Sequence, residues 1–146
     1  MSILQTVSLL ERILLLREIP IFAELPPEDL KLIAEIAREE WYPRDTDLFR
    51  QGDEGNTMFI IVEGRLRVLT SKNGVEQELA QRGPGELIGE MAIIESAPRS
   101  ATLGAQTDAR VLVIDGDTFK GILHERPDVS FAVLRSMSRR LREMTG

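Results

Sequence analysis

The 146 residues of this chain suffice for one domain, since single domains usually contain about 100–200 residues. With 42% hydrophobic and 29% charged residues, the composition is that of a soluble globular protein and disfavours disorder or a collagen-like repeat. The sequence contains no cysteine and one histidine, His124, which excludes disulfides, thiolate zinc sites and thiol catalysis and disfavours multi-histidine metal sites. We therefore expect no metal and no resident cofactor.

The net charge of −6 disfavours broad binding to nucleic acid, which requires a basic surface. Residues 128–146 differ from the rest of the chain because they hold four arginines against two acidic residues. We interpret these arginines as the solvated face of a helix, where basic groups suit the negative end of the helix dipole.

The segment Ile3 to Leu16 is rich in leucine and isoleucine, but Glu11 and Arg12 interrupt it well before the roughly 20 apolar residues that cross a bilayer. It has neither the basic start nor the cleavage site of a secretory signal, so a cytoplasmic location is expected. The helical spacing of Ile3, Val7, Leu10 and Leu14 predicts an amphipathic helix over residues 6–18. This helix packs on its own domain or belongs to a partner or a preceding domain.

A second helix is predicted to begin at Pro27, with Leu30, Ile33, Ala34 and Ala37 on its apolar face. From Trp41 the pattern changes to about eight short strands, among them Met58–Val62 and Val111–Ile114. Asn73-Gly74 predicts a hairpin between Leu66–Ser71 and Val75–Ala80. Closely spaced glycines in the middle third indicate a compact sandwich or barrel.

Two helices are predicted to close the chain. The first runs from Asp117, as its cap, to about Glu125, and the second begins at Pro127. The second has a stripe of apolar residues at helical spacing, namely Val129, Val133, Met137, Leu141 and Met144. His124 lies beside charged residues and is predicted to be exposed.

The segment Gly85–Thr102 contains an unusual combination of residues for a strand protein. Met91–Glu95 predicts a single buried helical turn that Gly89 precedes and Pro98 ends. The N–H groups at the start of such a turn favour an anion, Gly89 allows close approach to the backbone, and the Arg99 fork suits phosphate oxygens. From residue types alone, an internal ion pair between Glu90 and Arg99 explains the segment equally well.

The string Gly89-Glu90-Met91-Ala92, followed after five residues by Pro98-Arg99-Ser100-Ala101, resembles the phosphate-binding cassette of the cyclic nucleotide-binding domain family. That family includes cAMP receptor proteins and regulatory subunits of protein kinase A. Phe49–Asp53, Met58–Gly64 and the entry Ile21–Leu25 are also similar to family segments. Ile88 and Gln51 depart from the usual pattern, but neither is at a ligand contact.

The resemblance implies a role for each residue of the cassette. Arg99 would bind the phosphate oxygens and Glu90 the ribose 2′-hydroxyl. Backbone amides near Met91, Ala92 and Ala101 would complete the cradle that begins at Gly89, and Ser100 would touch the phosphate or the base. The ligand implied is a cyclic nucleotide, with cAMP preferred over cGMP on general frequency alone, since a hydroxyl after the arginine is compatible with both.

The fold implied is mainly β with flanking α, an antiparallel β-roll of the jelly-roll kind with N-terminal helices and C-terminal lid helices. Residues 1–20 would form a lead-in helix and 21–146 the cyclic nucleotide-binding domain, with the β-roll at about 41–115 and the lid at about 117–144. The resemblance implies a non-catalytic regulatory domain that transmits binding to a fused or partner effector through helix movement. Such an effector could be a membrane transporter or a helical-repeat protein, and a homodimer is compatible.

Three other functions fit the sequence less well. A cupin-type enzyme needs several metal-binding histidines, which the sequence lacks. Direct DNA binding is not expected, because no helix-turn-helix follows the predicted lid before Gly146. A β-roll protein-interaction module without nucleotide binding is the main alternative, and the presence of both Glu90 and Arg99 weighs against it.

Overall fold

The computed structural model describes residues 6–145, and in this part of the chain helices precede and follow eight strands, as predicted. The elements are α1 (Leu9–Arg17), α2 (Pro27–Ile36), β1 (Arg38–Tyr42), β2 (Asp47–Phe49), β3 (Thr57–Glu63), β4 (Leu66–Lys72), β5 (Val75–Arg82), β6 (Leu87–Ile88), α3 (Glu90–Glu95), β7 (Thr102–Ala105), β8 (Ala109–Asp115), α4 (Gly116–Glu125) and α5 (Pro127–Thr145).

The described residues group into two compact units. The β unit is Arg38–Gly116, and the helical unit combines the residues up to Ala37 with those from Asp117 onward. No helix within residues 6–145 has the length and apolarity needed to cross a membrane.

The β unit consists of two four-stranded sheets in which every pair is antiparallel, in agreement with the predicted β-roll. The strand orders are β1-β8-β3-β6 and β2-β7-β4-β5. The apolar runs of β3 and β8 are buried along most of their length, which explains why they do not alternate with polar residues. Their core cluster includes Phe59, Ile61, Val111 and Val113.

The predicted hairpin at Asn73-Gly74 is confirmed. These two residues join β4 to β5, and both have positive φ, 54° and 78°. Two successive positive φ angles are those of a type I′ turn, whose twist matches the twist of the flanking strands.

Helix α1 forms within the predicted range, with the Ser8 hydroxyl accepting a hydrogen bond from the Glu11 N–H. The predicted apolar face is wrong at Leu10 and Leu14, which are exposed, whereas Val7 of that face and Leu16 are buried. Ile3 lies outside the described residues. Since leucines surround this helix, spacing alone could not select the inner face.

The orientation of α1 depends on an arginine. The Arg12 Nη1 donates to the carbonyl oxygens of Ala34 (3.1 Å) and Ala37 (2.5 Å) at the end of α2. Cations favour this end of a helix, and Arg12 lies on the same helix face as Leu16, one turn away. The predicted face of α2 is confirmed, with Leu30, Ile33, Ala34 and Ala37 buried.

The two C-terminal helices begin close to their predicted positions. Helix α4 starts at Gly116, so Asp117 lies in its first turn rather than at its cap. The apolar stripe of α5 is buried only in the first half, at Val129 and Val133, whereas Leu141 and Met144 are exposed. The arginines of α5 are exposed as predicted, and Arg135 and Arg139 pair with Glu24 of the same unit.

Candidate functional site

The connection between β6 and β7 contains the short helix α3, which starts at Glu90, one residue before the predicted turn. Gly89 precedes it with φ +95°, and Ser96 ends it with φ +53°. The turn is only half buried, because Met91 and Ile94 are 46% and 37% exposed. It also ends before Pro98, which instead forms a β-bridge with Glu54.

The backbone of Arg99 is fixed by the turn that follows β2. The Arg99 N–H donates to the Asp53 carbonyl oxygen at 2.8 Å, and the Gly52 N–H donates to the Arg99 carbonyl oxygen at 2.9 Å. The Gln51 N–H also donates to the Thr102 hydroxyl at 2.9 Å. This ladder of hydrogen bonds extends the pairing of β2 with β7 and fixes the backbone position from which the Arg99 side chain extends.

The guanidinium of Arg99 bonds to neutral oxygens. Its Nη2 donates to the Thr57 carbonyl oxygen (2.6 Å) and hydroxyl (3.1 Å), and its Nη1 donates to the Gly89 carbonyl oxygen (3.2 Å). Among the described residues these are its hydrogen-bond partners, and the Glu90 carboxylate is not one of them. The contacts therefore do not support an internal ion pair between Glu90 and Arg99.

Two glycines make room for this side chain. A Cβ on Gly89 would lie 2.6 Å from the Arg99 Nη1, and a Cβ on Gly55 would lie 3.1 Å from its Nε and 2.5 Å from the Ala92 Cβ. The sequence predicts that Gly89 leaves space for a ligand, whereas in the structure the guanidinium itself fills that space. Gly89 is thus required both by its positive φ and by close packing.

Arg99 is a buried cation with one unused hydrogen-bond donor. The residue is 4% exposed, and its Nε has no hydrogen-bond partner in the described part of the chain. Burial lowers the pKa of the guanidinium below its ordinary value, and the negative charge of Asp53 partly offsets this effect. A buried charge with an unused donor is costly, and an anion that accepts a hydrogen bond from the Nε–H would relieve that cost.

The other predicted site residues differ in their exposure to solvent. Glu90 and Ala92 are buried in α3, and Glu90 is in the first turn, where a carboxylate is favoured by the helix dipole. Met91 and Ser100 are exposed, and Ala101 is half-buried. The structure thus brings Gly89 into contact with Arg99 and places both Ala92 and Arg99 beside Gly55, whereas the roles of the exposed residues rest on the resemblance.

Two side chains that contact Arg99, those of Thr57 and Phe49, and the packing role of Gly55 were not predicted from the sequence. Thr57 holds the guanidinium, the Phe49 ring lies 4.0 Å from the Arg99 Cζ, and Gly55 accommodates the arginine stem. The sequence places Phe49 only within the similar segment Phe49–Asp53, and it does not single out Gly55 or Thr57. Their role was hidden because they are more than 40 residues from Arg99 along the chain and meet it only through sheet pairing.

The arrangement can hold a small anion, but nothing in it points to acid–base chemistry. His124 is exposed on α4, in the helical unit, as predicted. Within residues 6–145 no group of three histidine, aspartate or glutamate side chains could hold a metal ion. The chemical capacity of the site is therefore recognition of a phosphate-like group by a buried, forked cation.

Comparisons with known proteins find similarity over most of this chain. A family model described as "Cyclic nucleotide-binding domain" matches residues 39–126. The "Cyclic AMP receptor protein" of Thermus thermophilus is 33% identical over 125 residues, 85% of this chain and 58% of that protein. A "Cyclic nucleotide-gated potassium channel" of Mesorhizobium japonicum is 34% identical over 116 residues, 80% of this chain and 31% of the channel.

A solved structure extends the similarity to the fold. The N-terminal domain of a transcriptional regulator from Streptomyces coelicolor A3(2) has a TM-score of 0.79 and 36% identity, covering 90% of this chain and 92% of that one. The chain spans slightly more than half the length of the curated receptor and regulator proteins that it matches.

Proposed function

Because this chain belongs to the cyclic nucleotide-binding domain family, we propose that its Arg99 site binds the phosphate of a 3′,5′-cyclic nucleotide. The observation that carries this proposal is the buried guanidinium with an unused Nε donor. The Nε–H shares one edge of the guanidinium with an N–H of Nη2, the nitrogen that contacts Thr57. A phosphate on this edge would accept from Nε, and from Nη2 in exchange for a contact to Thr57, so that two donors meet two phosphate oxygens.

Calorimetric titration with cAMP and cGMP tests this function, on protein freed of any nucleotide carried through purification. We expect saturable binding of at least one of them, and no comparable binding of adenosine or guanosine, which lack the phosphate. Absence of binding by both cyclic nucleotides would favour the alternative, a β-roll module that contacts only proteins.

We propose cAMP as the preferred ligand. The support is indirect, since the Thermus relative is named a cyclic AMP receptor protein. Ser100 follows Arg99 and is exposed, and its hydroxyl is compatible with either nucleotide. The ratio of the two dissociation constants from the same titrations decides between them.

Glu90 is proposed to accept a hydrogen bond from the ribose 2′-hydroxyl. Glu90→Gln keeps an acceptor but loses the charge, so cAMP affinity is expected to fall about tenfold. The 2′-deoxy analogue lacks that hydroxyl and should lose much less affinity on the same substitution. Equal losses for both ligands, measured by calorimetry, would show that Glu90 has only a structural role.

The C-terminal helix is proposed to respond to the ligand. Helix α5 is buried through Val129 and Val133, but its second half is exposed, so it belongs to the less stable part of the molecule. A nucleotide shifts such a helix only by interacting differently with two of its arrangements.

Hydrogen exchange measures this response. Amide exchange in residues 128–144 is expected to slow on saturation with cAMP by a larger factor than in the strands that contain Val62 and Val113. Unchanged exchange in α5 at saturating ligand would show that this helix does not respond to the ligand.

The chain is proposed to act as a binding domain rather than a catalyst, and to serve an effector. The relatives named above include a potassium channel and a receptor protein, and this chain matches only part of each. The helical unit holds eight of the twelve exposed large apolar residues of the described chain, including Leu10, Phe131 and Leu134. Such a surface suits an effector segment or a second copy in a homodimer.

A further inference from the structure

We propose that Phe49 is a positioning residue for the anion site: its ring holds the Arg99 guanidinium in the binding orientation before ligand arrives. The proposal rests on the proposed function and adds how this chain prepares its binding cation. It starts from the observation that the Phe49 ring centroid lies 4.0 Å from the Arg99 Cζ.

Phe49 reaches this position through an irregularity of the sheet. Strand β2 pairs with β7, with Phe49 opposite Leu103, and the register shifts between Asp47 and Phe49. Bulges of this kind redirect a side chain. Because the ladder from Gly52 to Arg99 continues the same pairing, the ring and the guanidinium are set side by side by one stretch of backbone.

The Phe49 ring offers the Arg99 guanidinium a negative electrostatic potential, which its hydrogen bonds to uncharged oxygens do not provide in full. All three go to uncharged oxygens, and burial lowers the pKa of the guanidinium. The face of an aromatic ring carries negative electrostatic potential and attracts a desolvated cation without competing for its donors. The stacked Phe49 therefore stabilises the charge and leaves the Nε–H donor to an anion.

A second ring supports the first. Phe59 is buried in the core, its centroid is 5.8 Å from that of Phe49, and it is 6.0 Å from the Arg99 Cζ. Phe59 therefore anchors Phe49 and contributes less to the cation itself. This difference provides a matched control, since both residues are phenylalanines of the same β unit.

The sharpest test replaces Phe49 with pentafluorophenylalanine, which has nearly the same shape but a reversed ring potential. We expect cAMP affinity to fall about tenfold, and Phe49→Leu to cause a similar loss. Phe49→Tyr, which keeps the ring potential, should bind within about threefold of the parent. Pentafluorophenylalanine at Phe59 should change affinity much less than at Phe49. A residue that only fills space would give parental affinity in the pentafluoro variant, and that result would overturn the proposal.

A ligand-free measurement keeps this proposal separate from the proposed function. The denaturant midpoints of Phe49→Leu, Arg99→Gln and the double variant form a cycle, and the double variant should lose less stability than the sum of the two single losses. If the parent binds no cyclic nucleotide, the proposed function fails while this coupling still reports the stacking. Additive stability losses, or parental affinity in Phe49→Leu when the parent binds, contradict the positioning role.

Discussion

Arg99→Ala is expected to weaken cAMP binding by about 30- to 1,000-fold, the equivalent of about 2–4 kcal/mol for a charge-assisted forked contact. Thermal stability should change far less. The substitution leaves a cavity and removes bonds to Thr57 and Gly89, but it also removes a cation that is buried at a cost. Calorimetry for affinity and thermal unfolding for stability separate the two effects.

Two variants control this experiment. Arg99→Lys keeps the charge but cannot present two donors on one edge, so it should also lose affinity. Arg50→Ala removes an arginine of the neighbouring turn whose side chain is 77% exposed and pairs with Asp47. It should bind as the parent does, because exposed ion pairs contribute little. Parental affinity in Arg99→Ala would exclude this arginine as the phosphate ligand.

Gly89→Ala is expected to have the second largest effect, because it acts on both the backbone and Arg99. The positive φ of +95° costs an alanine about 1–3 kcal/mol of folding free energy. The new Cβ would also lie 2.6 Å from the Arg99 Nη1 and 3.1 Å from the Thr57 carbonyl oxygen, so the guanidinium must move. We expect a lower unfolding temperature and a loss of cAMP affinity of more than tenfold.

Gly85→Ala is the matched control for this substitution. Gly85 has φ +87°, and a Cβ there would meet nothing within 4 Å. The control should therefore lose stability through backbone strain and retain affinity. If the two variants lost the same affinity, displacement of Arg99 could not be the cause.

The parts of the fold that depend on local pattern could be predicted from the sequence. The Asn73-Gly74 hairpin follows from turn chemistry, and the buried face of α2 follows from helical spacing. The inner face of α1 could not be predicted, because its six apolar residues among nine lie on several sides and the choice depends on the bonds from Arg12 to the end of α2. Such contacts join residues more than 20 positions apart.

In the candidate site, too, the local features could be predicted from the sequence and the long-range contacts could not. The Gly89–Ala101 segment was recognisable because its residues are close in sequence. The partners of Arg99 were not, since Thr57 and Phe49 come from β3 and β2 and meet the arginine only when both sheets form. The prediction of a buried turn was wrong at Met91 for a related reason. Which side of α3 is covered depends on its packing against β3, and Met91 lies on the open side.

The Nε–H resonance of Arg99 in a nitrogen-15 NMR spectrum tests whether this arginine holds the phosphate, since it reports on the donor that has no partner among the described residues. Its assignment follows from its disappearance in Arg99→Lys. On saturation with cAMP, we expect a large downfield proton shift and slower solvent exchange, with neither change on addition of adenosine. A resonance that stays unchanged while cAMP binds would contradict the proposed role of Arg99, because the phosphate would then be held elsewhere.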